Sequence, residues 1–454
     1  MTVVVVLVLA SVLAALHWYL WRRLVRDVSR PGGWYRRTGG WVLGALTLGT
    51  LLTAGGGRIG LPFEVLSVVA WPGFYWMAMV LYLFLGLLVG ELVRLVLLRR
   101  GARRADEPAP DAEPGAVTAV EPAGEPVPAG VAAGEAATQG SAGAASGSAG
   151  SSGPPPAAEE PAADAAPEDA APEPAPAPRE LSRRLLVSRS IAVGAGVLAT
   201  GVVGYGSHNA RRLRIKRVTV PLAKLPRGGH GYRIAVVSDI HLGPVLGESH
   251  CRRVVDAING VQPDLITVVG DLVDAEVDDL RSAVAPLADL RARDGAFFVT
   301  GNHEYFVETE AWVDHVRELG VTPLVNERRE LPFLDLAGVN DIDGEGTDFG
   351  GPDYDAALAD RDPARPSVLM AHQPVMIHDA VDHGVDLQLS GHTHGGQMWP
   401  ITYLADLANP TLAGLERYGD TQLYVSRGAG AYGPPVRVGA DPDITVVELA
   451  SGQS

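Results

Sequence analysis

Cysteine is nearly absent: Cys251 is the only one among 454 residues. That excludes an intramolecular disulfide and any cysteine-rich zinc site, and it leaves the redox compartment unread. Positive charge is missing from residues 105–178, where Asp106, Glu107, Asp111, Glu113 and further acids up to Glu173 face no Lys or Arg. This stretch supplies most of the formal net charge of -16, so the acidity belongs to one segment and not to a binding surface. Large apolar residues are scarce there too, with Ala, Pro, Gly, Glu and Ser dominating. Such a chain buries too little surface to offset its conformational entropy, and residues 105–180 are expected to be a disordered linker.

What is plentiful elsewhere is apolar. Hydrophobic residues make up 47% of the chain, too many for a purely soluble protein of this length. Residues 1–104 read as a membrane region with about three transmembrane helices. Residues 3–21 carry no charge and His17 is their sole ionisable group; at about 1.5 Å of rise per residue they can cross a core of about 30 Å. A second run, 41–54, is short and rich in Gly and Thr, and the third lies within 65–98. Trp71 and Tyr75 would sit at one interface of the third, with Arg94, Arg99 and Arg100 at the other. Residues 181–210 form either a signal anchor or a fourth helix. There Arg183-Arg184 precede a weakly apolar run, 191–206, and resemble an internally placed twin-arginine signal. Arginines after the first span (Arg22, Arg23, Arg26) and after the third (Arg99, Arg100, Arg103) place both loops in the cytoplasm. A fourth span then carries the rest of the chain outside, although Arg211, Arg212, Arg214, Lys216 and Arg217 lie on that side.

From residue 231 to 450 short apolar runs alternate with helical periods. Strands are expected at 232–238, 264–269, 295–300, 331–339, 367–371, 386–390, 422–426 and 444–449, and helices at 249–259, 279–291 and 308–319. The alternation indicates an α/β domain. Five polar clusters each follow a strand, where open α/β folds gather their sites. They are Asp239-Ile240-His241, Gly270-Asp271-Leu272-Val273-Asp274, Gly301-Asn302-His303-Glu304, His372-Gln373-Pro374 and Gly391-His392-Thr393-His394-Gly395-Gly396-Gln397. Alternation in Asp239-x-His241 and His392-x-His394 lets paired side chains leave an extended segment on one side. Mixed carboxylate, imidazole and amide donors suit Mn, Fe or Zn better than Ca or Mg. Any one cluster alone is more often a turn or a cap; five in order point to a metal site.

That order resembles the calcineurin-like metallophosphoesterase family, and within it the membrane-associated or exported bacterial branch ending in Gly-His-Thr-His-Gly-Gly-Gln. The resemblance covers about half of the chain. It implies a four-layer α/β/β/α metallophosphoesterase sandwich with a dinuclear site at one edge of the sheets. Asp239, His241 and His394 would hold one metal. Asn302, His372 and His392 would hold the other, and Asp271 would bridge both. His303 would act as proton donor or charge stabiliser, oriented by Asp274. Two divalent ions, with Mn favoured, would activate a shared water against a phosphate ester. A phosphodiesterase is expected; the alternatives are a hydrolase of lipid-linked or nucleotide-sugar pyrophosphates and a non-catalytic membrane receptor. No specific nucleic-acid partner is expected, since a span adjoins the basic run at 211–217. Trp399, Tyr403 and Tyr432 could contact a leaving group, and 341–346 reads as a solvated loop near the site.

Overall fold

The computed structural model describes residues 2–105 and 183–452, so the linker expected over 105–180 lies almost wholly outside the described residues. Four helices come first: α1 (Thr2–Trp21), α2 (Trp34–Gly55), α3 (Phe63–Ala105) and, beyond the linker, α4 (Arg183–Ala210). They coincide with the apolar runs read from the sequence. Among the described residues, Phe63–Val96 and Leu185–Ala210 are long and apolar enough to cross a membrane, and only 28% and 17% of their most apolar windows are buried. A soluble core helix would be mostly covered. Helices α3 and α4 pack antiparallel, with Tyr75 bonded to Ser207 and small residues facing each other at Gly86 and Ala195. Close approach through small side chains is how apolar helices associate without a hydrophobic driving force.

The remaining elements are β1 (Arg214–Leu222), β2 (Tyr232–Val237), α5 (Glu248–Gly260), β3 (Leu265–Val269), α6 (Val277–Val284), β4 (Ala296–Val299), α7 (Thr309–Glu318) and β5 (Thr322–Pro323). They continue with β6 (Glu327–Glu330), β7 (Asp335–Gly338), α8 (Tyr354–Leu358), β8 (Ser367–Met370), α9 (Ile377–Asp382) and β9 (Leu387–Ser390), and end with α10 (Ile401–Ala408), β10 (Gly414–Tyr418), β11 (Thr421–Val425) and β12 (Asp443–Ser451). Two six-stranded sheets result, in the orders β1-β12-β2-β3-β4-β5 and β10-β11-β9-β8-β7-β6. Strands β2 to β5 run parallel, as do β7, β8, β9 and β11.

The apolar runs dictate four layers. Strands such as β2 and β3 are buried on both faces, which is why they read as continuous apolar runs and not as alternation. Ile234, Val236, Leu265 and Phe297 of one sheet meet Leu336, Val368, Met370 and Leu389 of the other. Helix α5 turns Cys251, Val254, Val255 and Ile258 inward onto the first sheet beside Trp312 and Val316 of α7. That spacing makes one apolar face, and burial stabilises by about 1.5–3 kcal/mol per large side chain. Tyr354, Leu358, Ile377 and Ala380 of α8 and α9 cover the outer face of the second sheet.

Several elements differ from expectation: among the described residues β1, β5, β6, β10, α8, α9 and α10 were not read from the sequence, and two expected elements change form. The strand expected over 331–339 is a hairpin, since Leu331 bonds back to Leu334 and turns the chain. The helix expected over 279–291 leaves α-helical geometry after Val284 because Pro286 has no N–H to continue it. Strand β1, absent from the sequence reading, extends the first sheet ahead of residue 231; Lys216 pairs with Asp443 and Arg214 with Asp441.

Candidate metal centre

Parallel strands put their carboxyl ends on one side, and each polar cluster leaves such an end. Asp239 and His241 follow β2, Asp271 and Asp274 follow β3, and Asn302 and His303 follow β4; His372 and His392 follow β8 and β9. All nine residues expected at the site converge there. His241 Nε2 lies 3.0 Å from His394 Nε2 and 3.7 Å from Asp271 Oδ2, and His394 Nε2 lies 3.4 Å from Asp239 Oδ1. On the other side His372 Nε2 is 3.2 Å from Asp271 Oδ2, and His392 Nδ1 is 3.0 Å from Asn302 Oδ1. Three overlapping groups can hold a cation: Asp239 with His241 and His394, Asp271 with His372 and His392, and His241 with Asp271 and His303. Asp271 belongs to two of the three.

The backbone is strained where these side chains leave it. Asp239, His241, Asp271, His392 and His394 all have positive φ, between 49° and 70°. That region disfavours L-residues by roughly 1–2 kcal/mol each, and such strain concentrates at functional sites. Gly301 is required for close approach: any side chain there would strike the backbone and carboxylate of Asp271.

The outer nitrogens fix how the rings point. His372 Nδ1 donates to the Val269 carbonyl at 2.8 Å, and its Nε2 is wholly buried and without a hydrogen bond. His241 Nδ1 lies 2.8 Å from Asp274 Oδ1, which turns its Nε2 toward that of His394. Two imidazole nitrogens face to face and a buried orphan nitrogen are satisfied when a cation displaces the ring protons, so the residues present fit a divalent metal on either side of Asp271.

A scan against family models matches residues 232–396 to the calcineurin-like phosphoesterase family. A transmembrane protein with metallophosphoesterase domain from Danio rerio is 36% identical over 59% of this chain and 66% of its own length. The chain thus spans just under two thirds of that relative. An uncharacterized metallophosphoesterase of Helicobacter pylori is 35% identical over 59% of this chain and 72% of its own. Another, YkuE of Bacillus subtilis, is 30% identical over 60% of this chain and 99% of its own. The chain belongs to the calcineurin-like phosphoesterase family.

Electrostatics sort the side chains of this site. For Asp274, burial alone would raise the carboxyl, but His241 and His303 hold it down at about 2. Burial likewise opposes charge on His241, yet Asp274, Asp271 and Asp239 lift it to about 9. His392 falls to about 4 through burial and then His372, and His394 falls well below its ordinary value through burial, His241 and Arg437. Neutral rings of this kind carry the lone pairs that ligation needs.

Three contributors escaped the sequence reading. Glu304 is buried, and its carboxylate accepts from the backbone N–H of Gly301 (2.6 Å), Asp271 (3.0 Å), Leu272 (2.8 Å) and Val273 (3.3 Å). Burial and then Asp271 push it up to about 7, and the N–H donors pull it back. Arg437 is fully buried and its guanidinium donates to the carbonyls of His394, Arg427, Gly428 and Gly430. Its own N–H donates to Gly206 O of α4 at 2.9 Å, and Asn209 Nδ2 reaches Arg437 O at 3.2 Å. Asp341 is buried, not solvated, and accepts from Gln373 Nε2 at 2.8 Å. Of the three aromatics singled out in the sequence, Tyr432 reaches the site, with its ring centroid 4.8 Å from His303 and 5.7 Å from His241. Trp399 and Tyr403 are exposed.

Proposed function

We propose that the chain is a metal-dependent phosphoric ester hydrolase, of phosphodiesterase type, that works at a membrane. The observation that carries this reading is the place of Asp271 Oδ2, shared between His241 Nε2 at 3.7 Å and His372 Nε2 at 3.2 Å. Asp239, His241 and His394 would hold one cation, Asn302, His372 and His392 the other, and Asp271 both. Two divalent ions, Mn foremost, would supply there the positive charge that acidifies an attacking water near neutral pH and steadies the phosphoryl oxygens. The chain's own residues do the rest. Asp274 Oδ1 is 2.8 Å from both His241 Nδ1 and His303 Nδ1, so one carboxylate orients a ligand and an acid together. With Nδ1 so held, His303 has Nε2 left to donate a proton to the departing ester oxygen. The Glu304 cradle keeps the Asp271 and Asn302 loops in register.

The helices cross more than once in this reading, with the phosphoesterase domain outside the cytoplasm. Arg22, Arg23 and Arg94 gather round Glu91 and Asp27 at the end of α3 away from the sheets, which is the cytoplasmic end by the positive-inside rule. Of the five basic residues on the other side, Arg214 and Lys216 are neutralised in β1 by Asp441 and Asp443.

The test is turnover by the full chain in detergent with Mn, on a panel of phosphate monoesters, diesters and pyrophosphates. Hydrolysis is expected first for diesters. Asp271→Asn should abolish it, and His303→Ala should slow it by about 10²–10⁴ with metal still bound. Full turnover by Asp271→Asn would sink the assignment.

A further inference from the structure

Helix α10 is built the wrong way round for a soluble protein. It starts seven residues after His394, and Thr402 packs against Gly396. The opposite arc carries Tyr403, Leu404 and Leu407, which are 63%, 67% and 85% exposed, with Trp399 just ahead at 49%. None of the helix's residues is buried, and Asp406 lies off this arc at helical spacing. An outward apolar face of this kind is what a helix lying in a membrane interface presents.

What covers it follows from its neighbours. Met398, immediately before Trp399, packs with Val436, Trp76 of α3 and Ala199 and Val203 of α4 in one cluster. Trp399 N–H donates to Val438 O at 2.8 Å. Gly206 of α4 packs against Val436 and Val438, and a Cβ on Gly433 would lie 3.6 Å from the ring of Phe74 in α3. Helix α10 therefore follows directly on residues that meet the domain ends of α3 and α4. Val438, bonded to Trp399, also packs on Gly206, the chain neighbour of exposed Tyr205. Exposed Trp71 stacks on Tyr75, which bonds Ser207, and Arg211 and Arg212 directly follow α4. Aromatic and basic side chains at such helix ends mark the headgroup region. The site opens there too. Gln397 clamps the Tyr432 loop through both amide atoms, with Tyr432 N at 2.9 Å and Tyr432 O at 3.0 Å. His303 is flanked by the rings of Tyr432 and exposed Phe306, 4.8 and 5.2 Å away between centroids.

We propose that α10 docks into the lipid surface beside α3 and α4 and holds the mouth of the metal centre at the headgroups, so that the substrate is a phosphate ester of a membrane-borne amphiphile. The substrate part rests on the phosphoesterase reading above; the docking does not.

The full chain is reconstituted in phosphatidylcholine vesicles, with an environment-sensitive NBD label on Leu407→Cys or on Ala364→Cys, which precedes β8 at the far ends of the strands. Cys251 is buried and its thiol is pushed up to about 12, so it takes no label. Label at 407 should shift to the blue and be quenched by doxyl lipids, while label at 364 does neither. Water-like emission at both positions overturns the docking. Depth is read without turnover, so a chain that docks yet hydrolyses nothing would sink the phosphoesterase reading alone. Leu404→Glu/Leu407→Glu should then lower hydrolysis of a long-chain dialkyl phosphate in the vesicles about tenfold, with soluble bis-p-nitrophenyl phosphate unaffected. An equal change for both esters, or for neither, overturns the substrate class.

Discussion

Removal of the Glu304 carboxylate should loosen the metal centre without touching a ligand. It accepts four backbone N–H groups from the loops that carry Asp271 and Asn302. A buried donor left without a partner costs about 1–3 kcal/mol. In Glu304→Ala, water entering the vacated space recovers part of the four, which leaves a loss of about 3–5 kcal/mol. For a domain of this size that lowers the unfolding temperature by roughly 6–20 °C. Glu304→Gln should resemble the alanine variant and not the native chain. Its amide NH₂ would meet N–H donors on one side, whichever way it turns. The same loosening frees the contact between His303 N and Asp271 Oδ1, 2.9 Å in the native chain, and should weaken metal binding about 10–100-fold. The assay is thermal unfolding of the detergent-solubilised full chain with and without Mn, alongside calorimetric metal titration. Unchanged unfolding and unchanged metal uptake in Glu304→Ala would refute the reasoning, as would a native-like Glu304→Gln.

Asp274→Asn, which takes the shared acceptor from His241 and His303, should cost about 10–100-fold in turnover and weaken metal binding; calorimetry that finds native affinity would tell against its role in orienting His241. Chelation should remove turnover and lower the unfolding temperature, with Mn restoring both; turnover that survives exhaustive chelation would contradict a metal centre. His250 offers a pH test outside the site: burial, then Arg253, lowers it to about 3. Its folded value lies below the unfolded value of about 6.5, so the unfolded chain binds more protons and stability falls as pH drops below about 6.5. Between pH 7.5 and 5.5 the native chain should lose about 1.4 kcal/mol more than His250→Gln, measured by denaturant unfolding at both values.

The candidate ligands were legible because each sits directly after an apolar strand, so that the order of the clusters already implied their convergence. Glu304 lies inside one of those clusters, yet three of its four N–H partners lie some thirty residues earlier, and only the pairing of β3 with β4 brings them together. Arg437 follows the last cluster by forty residues and has no local pattern at all. Strand β1 was hidden because its inward positions include Arg214 and Lys216, which read as flanks of a span until Asp441 and Asp443 supply their partners. Helix α10 was missed since its apolar face points outward and is only eight residues long.

The bond from Arg437 N–H to the Gly206 carbonyl gives the anchor a second meaning. A soluble fragment cut at Arg211 keeps every ligand, but it discards Gly206 and Asn209 and leaves the backbone of Arg437 open to water. The guanidinium on that same residue braces the carbonyl of His394. Measurements on such a fragment would describe a different molecule, since the last turn of α4 is one wall of the candidate site's own scaffold.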